Sequence, residues 1–181
     1  QYFYLQGVPQ TDAQGRLLPG GYQPGRSFLP HGLYHAMAGD FSGRPYALAP
    51  IAAAGFNFVH LWEGLRLRNV LPELQREHLQ VIIHNPQPPA VALGAGCENV
   101  LGWYLDEEPT GKYGLAEMDT RLAAFRARYQ EIRRTDQEHP IFPLDTNAVG
   151  AERREWWLAW AGAGDVSAHD NYPFREGTDT L

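Results

Sequence analysis

Cysteine is almost absent: Cys97 stands alone in 181 residues, so no internal disulfide can staple the fold. Positive charge is scarce as well. Fifteen Lys and Arg face 21 Asp and Glu, a net charge of −6, which leaves no basic footprint for nucleic acid. No apolar run reaches the roughly 18 residues that a membrane-crossing helix needs, so no membrane partner is expected. The glycine-rich phosphate loops are missing too. Neither G-x-G-x-x-G nor G-x-x-x-x-G-K-[ST] follows any strand-like run, which argues against a nucleotide cofactor. A metal-dependent barrel hydrolase would want His-x-His on its first strand and further histidines on later ones. Here the histidines are scattered. His31 and His35 have a metal-like spacing only if they lie on a helix, and Pro30 and Gly32 argue for strand or loop. No metal and no cofactor are expected.

What the chain does have is apolar substance. Hydrophobic residues make up 44%, enough with this length for a sizeable core in one domain. The amino terminus, Gln1-Tyr-Phe-Tyr-Leu-Gln6, reads as the middle of a strand without an initiator methionine, as if processing or truncation had removed what came before. Residues 1–27 read as a short β-hairpin lead-in, with Tyr2 to Val8 strand-like and turn chemistry in Thr11-Asp-Ala-Gln-Gly15. From residue 28 onward, short apolar runs alternate with segments of helical period, the grammar of βαβ units.

Six strands are predicted: Phe28–Tyr34, Phe56–Trp62, Gln80–His84, Val100–Leu105, Ile141–Leu144 and Asp165–His169. The clearest helix lies over Gly114–Arg134, where Leu115, Met118, Leu122, Phe125, Tyr129 and Ile132 form one apolar stripe. Asn69–His78 predicts a shorter helix that tolerates Pro72 only in its first turn. Residues 86–99 are too rich in Pro, Gly and Ala to predict one. Ala151–Ala161 is helical in pattern, with Trp156, Trp157 and Trp160 packed on the sheet.

Polar residues gather where strands end: His60 and Trp62, His84 and Asn85, Asp106 to Glu108, Asp145, and His169 to Tyr172. Chemistry at carboxyl-terminal strand ends is the habit of the (β/α)8 TIM barrel, and a whole barrel takes about 250 residues. The fold expected over residues 28–181 is therefore an α/β, incomplete TIM barrel of about six β/α units. Strand parity places Phe58, His60 and Trp62, then Ile82 and His84, then Gly102, Tyr104, Asp106 and Glu108 on the inward face. Val59, Leu61, Leu101, Trp103 and Leu105 take the opposite face, toward helices. The same parity gives Asp145 a place at the mouth. Aromatic faces, imidazoles and carboxylates around one opening suit a sugar.

Three segments carry a family likeness: Gly55-Phe-Asn-Phe-Val-His-Leu-Trp62, Leu101-Gly-Trp-Tyr-Leu-Asp-Glu-Glu-Pro109 and Asp165-Val-Ser-Ala-His-Asp-Asn-Tyr-Pro173. Together they resemble the clan-A glycoside hydrolases, a (β/α)8 superfamily, over most of residues 28–174. The nearest pattern is that of bacterial members whose fourth strand ends W-Y-x-x-D-E-P. The resemblance implies that Glu108 is the general acid/base and that the chain serves retaining hydrolysis of an O-glycosidic bond. It also implies that Asp170, Tyr172 and Pro173 form the sixth-strand D-x-Y-P. The residue before the acid/base, Asn or Asp in the family, holds the sugar 2-hydroxyl. Here it is Glu107, which is longer, while strand parity favours Asp106. His60, Trp62 and His84 complete the candidate sugar contacts, each with an ordinary packing role as its alternative.

In this superfamily the nucleophilic glutamate ends strand seven. Glu176 follows the D-x-Y-P turn too soon for another β/α unit, so the chain as it stands is expected to lack its nucleophile. The missing barrel units would then be partners to this portion. The expected ligand is a glycoside or an oligo- or polysaccharide, and secretion or a periplasmic location fits the resemblance. A non-catalytic carbohydrate-binding barrel remnant is the main alternative. A metal-dependent barrel hydrolase is a weaker one.

Overall fold

The computed structural model describes residues 4–5, 8–9, 30–34, 47–62, 67–146 and 150–170. Near the amino terminus, β1 (Tyr4–Leu5) and β2 (Val8–Pro9) pair antiparallel, Leu5 opposite Val8. Six parallel strands follow: β3 (Gly32–Leu33), β4 (Phe58–Trp62), β5 (Gln80–His84), β6 (Val100–Glu107), β7 (Ile141–Thr146) and β8 (Ala168–Asp170). They are ordered sequentially in one sheet. Parallel neighbours require a crossover between them, and helices supply it. These are α1 (Leu48–Ala53), α2 (Leu67–Arg76), α3 (Pro88–Gly94), α4 (Pro109–Lys112), α5 (Met118–Arg133) and α6 (Arg154–Ala161). Sequential parallel order with alternating helices is the architecture of an incomplete (β/α)8 barrel. Among the described residues no helix is long and apolar enough to cross a membrane. Phe28, Leu29, His35 and all residues after Asp170, including Tyr172, Pro173 and Glu176, lie outside the described residues.

The chain divides into two compact units, one of residues 1–104 and 130–140, the other of residues 105–129 and 141–181. In the first, the two faces of the sheet sort as strand alternation demands. Val59 pairs with Val81, Leu61 with Ile83 and Ile83 with Trp103, and all five are buried on one face. His60 pairs with Ile82, Trp62 with His84 and His84 with Tyr104 on the other. One residue escapes the alternation. Val81 lies opposite Val100 but Ile82 lies opposite Gly102, so Leu101 is the extra residue of a β-bulge.

Two helices differ from expectation for reasons of proline chemistry. The second begins earlier than predicted, at Leu67, which puts Pro72 inside it. Pro72 and Arg68 are both exposed, so water can reach the Arg68 carbonyl that has no proline N–H to accept. The third, over Pro88–Gly94, is a helix that composition argued against. Pro88 sits at its first position, where a missing N–H costs nothing.

The end of α3 meets β6 at close range. A Cβ on Gly94 would lie 2.6 Å from Trp103 Cη2 and 3.0 Å from Val100 Cγ2. Gly94→Ala should therefore destabilise the protein by about 1–2 kcal/mol, overpacking outweighing the gain in helix propensity. Urea denaturation would read it as a lower midpoint at unchanged slope.

Beneath Trp103, a polar knot closes the same unit. The Trp103 indole donates to Asp136 Oδ2 (2.8 Å), and His139 Nδ1 lies 2.6 Å from the same oxygen. The backbone amides of Glu138 and His139 donate to Asp136 Oδ1, and His139 Nε2 lies 3.0 Å from the Cys97 carbonyl oxygen. Burial pushes the Asp136 carboxyl upward. The hydrogen bonds from His139 and the two amides outweigh it and hold the group at about 2.

In the second unit, α5 buries Met118, Leu122 and Phe125 along the predicted stripe, while Leu115 falls in a preceding 3-10 turn and is exposed. Trp160 is fully buried with its ring edge-on to Phe125, whereas Trp156 and Trp157 are only half-buried.

Candidate active site

The first unit gathers rings at the ends of its strands. Tyr34 stacks on His60 at 4.4 Å, and His84 stacks on Tyr104 at 4.3 Å. Trp62 meets His84 edge-on at 4.2 Å, and His60 lies 5.9 Å from the His84 ring. The cross-strand pairs Trp62 with His84 and His84 with Tyr104 put these side chains side by side, so the cluster follows from register. His60 and His84 are buried, Trp62 half-buried, and Tyr34 46% exposed, so the cluster has a solvent-facing side. The Asn85 side-chain amide lies 3.1 Å from His84 Nε2, an arrangement in which the imidazole nitrogen accepts. Asn85 itself has φ 43°, a left-handed conformation that asparagine tolerates better than most residues. The predicted contacts His60, Trp62 and His84 are thus neighbours. Tyr34, which the sequence analysis did not single out, joins them.

The second unit holds the three carboxylates. β6 runs on through Glu107 and breaks at Glu108, which adopts φ 48° and ψ 45° immediately before Pro109. A left-handed glutamate costs on the order of 1–3 kcal/mol. A following proline disfavours helical backbone further. Surrounding bonds hold it there. The Glu108 N–H donates to the Leu144 carbonyl (2.6 Å), and its own carbonyl accepts from the amides of Gly111 and Lys112 (2.9 and 2.8 Å). The result is a sharp strand-to-helix elbow with a half-buried glutamate at its apex.

Its two neighbours are differently engaged. Glu107 forms an ion pair with Lys112 on the short helix α4. Asp106 accepts from the Tyr113 hydroxyl (3.0 Å) and from the Glu107 amide. Burial is the strongest influence on Asp106 and raises its pKa from the ordinary value of 3.8. The Tyr113 hydrogen bond, the Glu107 amide and the charges of Arg121 and Lys112 oppose it without cancelling it. The Arg121 guanidinium lies 4.3 Å over the Tyr113 ring, in cation–π range.

The raised Asp106 has a consequence for stability. A carboxyl whose folded pKa is raised contributes stability below its unfolded value of 3.8 and loses it as pH rises through the folded value. Near neutrality the buried charge is a burden. Asp106→Asn keeps an acceptor for Tyr113 without that charge, so it should raise the thermal midpoint at pH 7. The gain should vanish below pH 3.8. A gain independent of pH would contradict this account.

Asp145, to which parity gave a place at the mouth, is buried. It shares a face of β7 with Ile141 and Pro143, all three buried. Its Oδ1 accepts from the Thr110 amide (3.1 Å), the Thr110 hydroxyl (2.7 Å) and the Thr146 amide (2.8 Å). Arg153 donates to the carbonyls of Thr110 and Tyr113, closing the other end of α4. Neither Thr110 nor Arg153 was singled out in the sequence; a threonine two positions past a candidate acid, at a helix start, was the only available sign. Asp170 ends β8, half-buried and opposite Thr146.

Comparison with known proteins supports the fold. A crystal structure of a GH5_18 protein from Streptomyces cattleya in complex with Manb1-4GlcNAc matches with a TM-score of 0.60 at 13% identity. The match covers 80% of this chain and 52% of that one, so the chain spans about half the length of this glycoside hydrolase. At that identity the likeness is one of fold. No family model and no curated protein matches.

Proposed function

We propose that this chain carries the acid/base portion of a retaining glycoside hydrolase, with Glu108 as the proton donor. The observation that carries the reading is the elbow. A glutamate held in a strained conformation at the carboxyl end of a barrel strand, with its backbone tied on both sides, is a prepared position rather than a loop residue. The clan-A likeness of Trp103, Tyr104, Glu108 and Pro109 gives that position its role, and the glycoside hydrolase fold of the structural neighbour supports it.

In this reading Glu108 protonates the departing glycosidic oxygen as a second carboxylate attacks the anomeric carbon. It then takes the proton from the water that releases the sugar. The two carboxyl groups stand about 5–5.5 Å apart in such enzymes. We assign the second to none of the described residues. His60, Trp62 and His84 hold sugar, Trp62 offering a flat face to ring C–H groups and the imidazoles reaching hydroxyls. Asp106 is proposed as an acceptor for sugar hydroxyls, and Asp170 and Tyr172 of the D-x-Y-P segment as further polar contacts. Glu107, engaged by Lys112, is the weakest of the proposed contacts.

Following the anomeric configuration of freshly released sugar by NMR tests the reaction class. Retained configuration supports the reading. Inversion overturns it in favour of an inverting hydrolase, and binding of oligosaccharide without any turnover by the full-length protein overturns it in favour of the carbohydrate-binding alternative.

A further inference from the structure

Glu108 owes its conformation to bonds that converge on the turn just after it, and the most buried of these belong to Asp145. Asp145 and Thr110 are 1% and 0% exposed, and one carboxylate oxygen receives both the Thr110 amide and the Thr110 hydroxyl. That oxygen also receives the Thr146 amide at the end of β7, and the Leu144 carbonyl on the same strand accepts the Glu108 N–H. A Cβ on Gly111 would meet the Thr146 side chain at 3.3 Å, so α4 sits close against β7. Two attachment points on one strand thus bracket Glu108, one at its own amide and one two residues later.

We propose that Asp145, acting through Thr110, is the positioning residue that fixes the Glu108 elbow and so aims its carboxyl. Two donors from one residue to one carboxyl oxygen fix orientation as well as distance. Without this attachment Pro109 and the left-handed Glu108 would relax, and proton transfer depends on placement within hydrogen-bond reach. The inference rests on the acid/base reading of Glu108 for its catalytic meaning, but not for its structural content.

The test uses Thr110→Val, Thr110→Ser and Asp145→Ala in the full-length protein, with Glu108→Gln as a control. Amide exchange at Gly111 and Lys112, whose N–H groups bond the Glu108 carbonyl, should speed up tenfold or more in Thr110→Val and Asp145→Ala. It should return to the wild-type rate in Thr110→Ser. On a glycoside with a poor leaving group, Thr110→Val should lose about tenfold in the glycosylation rate with KM little changed. An activated aryl glycoside should lose far less, and Thr110→Ser should restore both. Thr110→Val keeps the volume of the side chain, so it covers the case in which Asp145→Ala fails to fold. Unchanged exchange in Thr110→Val overturns the proposal, as does an equal rate loss on both substrates. If Glu108→Gln itself shows no leaving-group dependence, the acid/base reading fails, and the exchange rates still decide whether Asp145 holds the elbow.

Discussion

Glu108→Gln should reduce the glycosylation rate on a glycoside with a poor leaving group by about 10²- to 10⁴-fold, the usual contribution of a positioned general acid. An alkoxide leaving from the anomeric carbon needs its proton in the transition state, whereas a nitrophenolate hardly does. The same variant should therefore lose little in that step on an activated aryl glycoside. Glutamine is close to glutamate in shape, and the bonds that define the elbow use the Glu108 backbone rather than its carboxyl. Thermal stability should accordingly stay near wild type, which separates lost chemistry from lost structure. Pre-steady-state measurement on the two substrates is the check. Equal loss on both would mean that the carboxyl orients substrate or supports the turn, and the proton would have to come from elsewhere. Asp106, whose pKa burial raises, is the next residue to replace in that event.

Much of this arrangement could be read from the chain because it depends on local periodicity. The alternation of β4 and β5 fixes Val59, Leu61, Val81 and Ile83 on one face and His60 and His84 on the other, and one register aligns both strands. Legibility ends where one element answers to another. The bulge at Leu101 arises from how β6 meets β5, and no period-two pattern can reveal it. Asp145 obeys strand alternation perfectly well. Its face could be assigned only by knowing that Ile141 and Pro143 are the buried pair and that Thr110 reaches it from 35 residues away. Proline content misled over residues 86–99 because composition does not say where in a turn a proline falls.

Asp136 is the extreme case: in Thr135-Asp-Gln-Glu-His139 it reads as one charge in a solvated run, yet its removal should cause the largest loss of stability. Asp136→Ala strips the partner from the buried Trp103 indole, from two backbone amides and from His139. Leaving such donors unsatisfied costs about 3–5 kcal/mol, the range for breaking a buried charged pair from one side. Trp103→Phe removes a single donor and should cost about 1–2 kcal/mol. The pH dependence distinguishes this knot from simple packing. Its folded pKa of about 2 lies below the unfolded 3.8, so its contribution is complete above pH 3.8 and is lost as pH falls through 2. That interval corresponds to about 2 kcal/mol. Urea denaturation of wild type and Asp136→Ala at pH 7 and at stepped acid pH measures both quantities, and the gap between the two proteins should narrow across that window. A gap that stays constant would mean that the loss comes from the missing side-chain volume, leaving the charge-assisted bonds to Trp103 and His139 without a stabilising role.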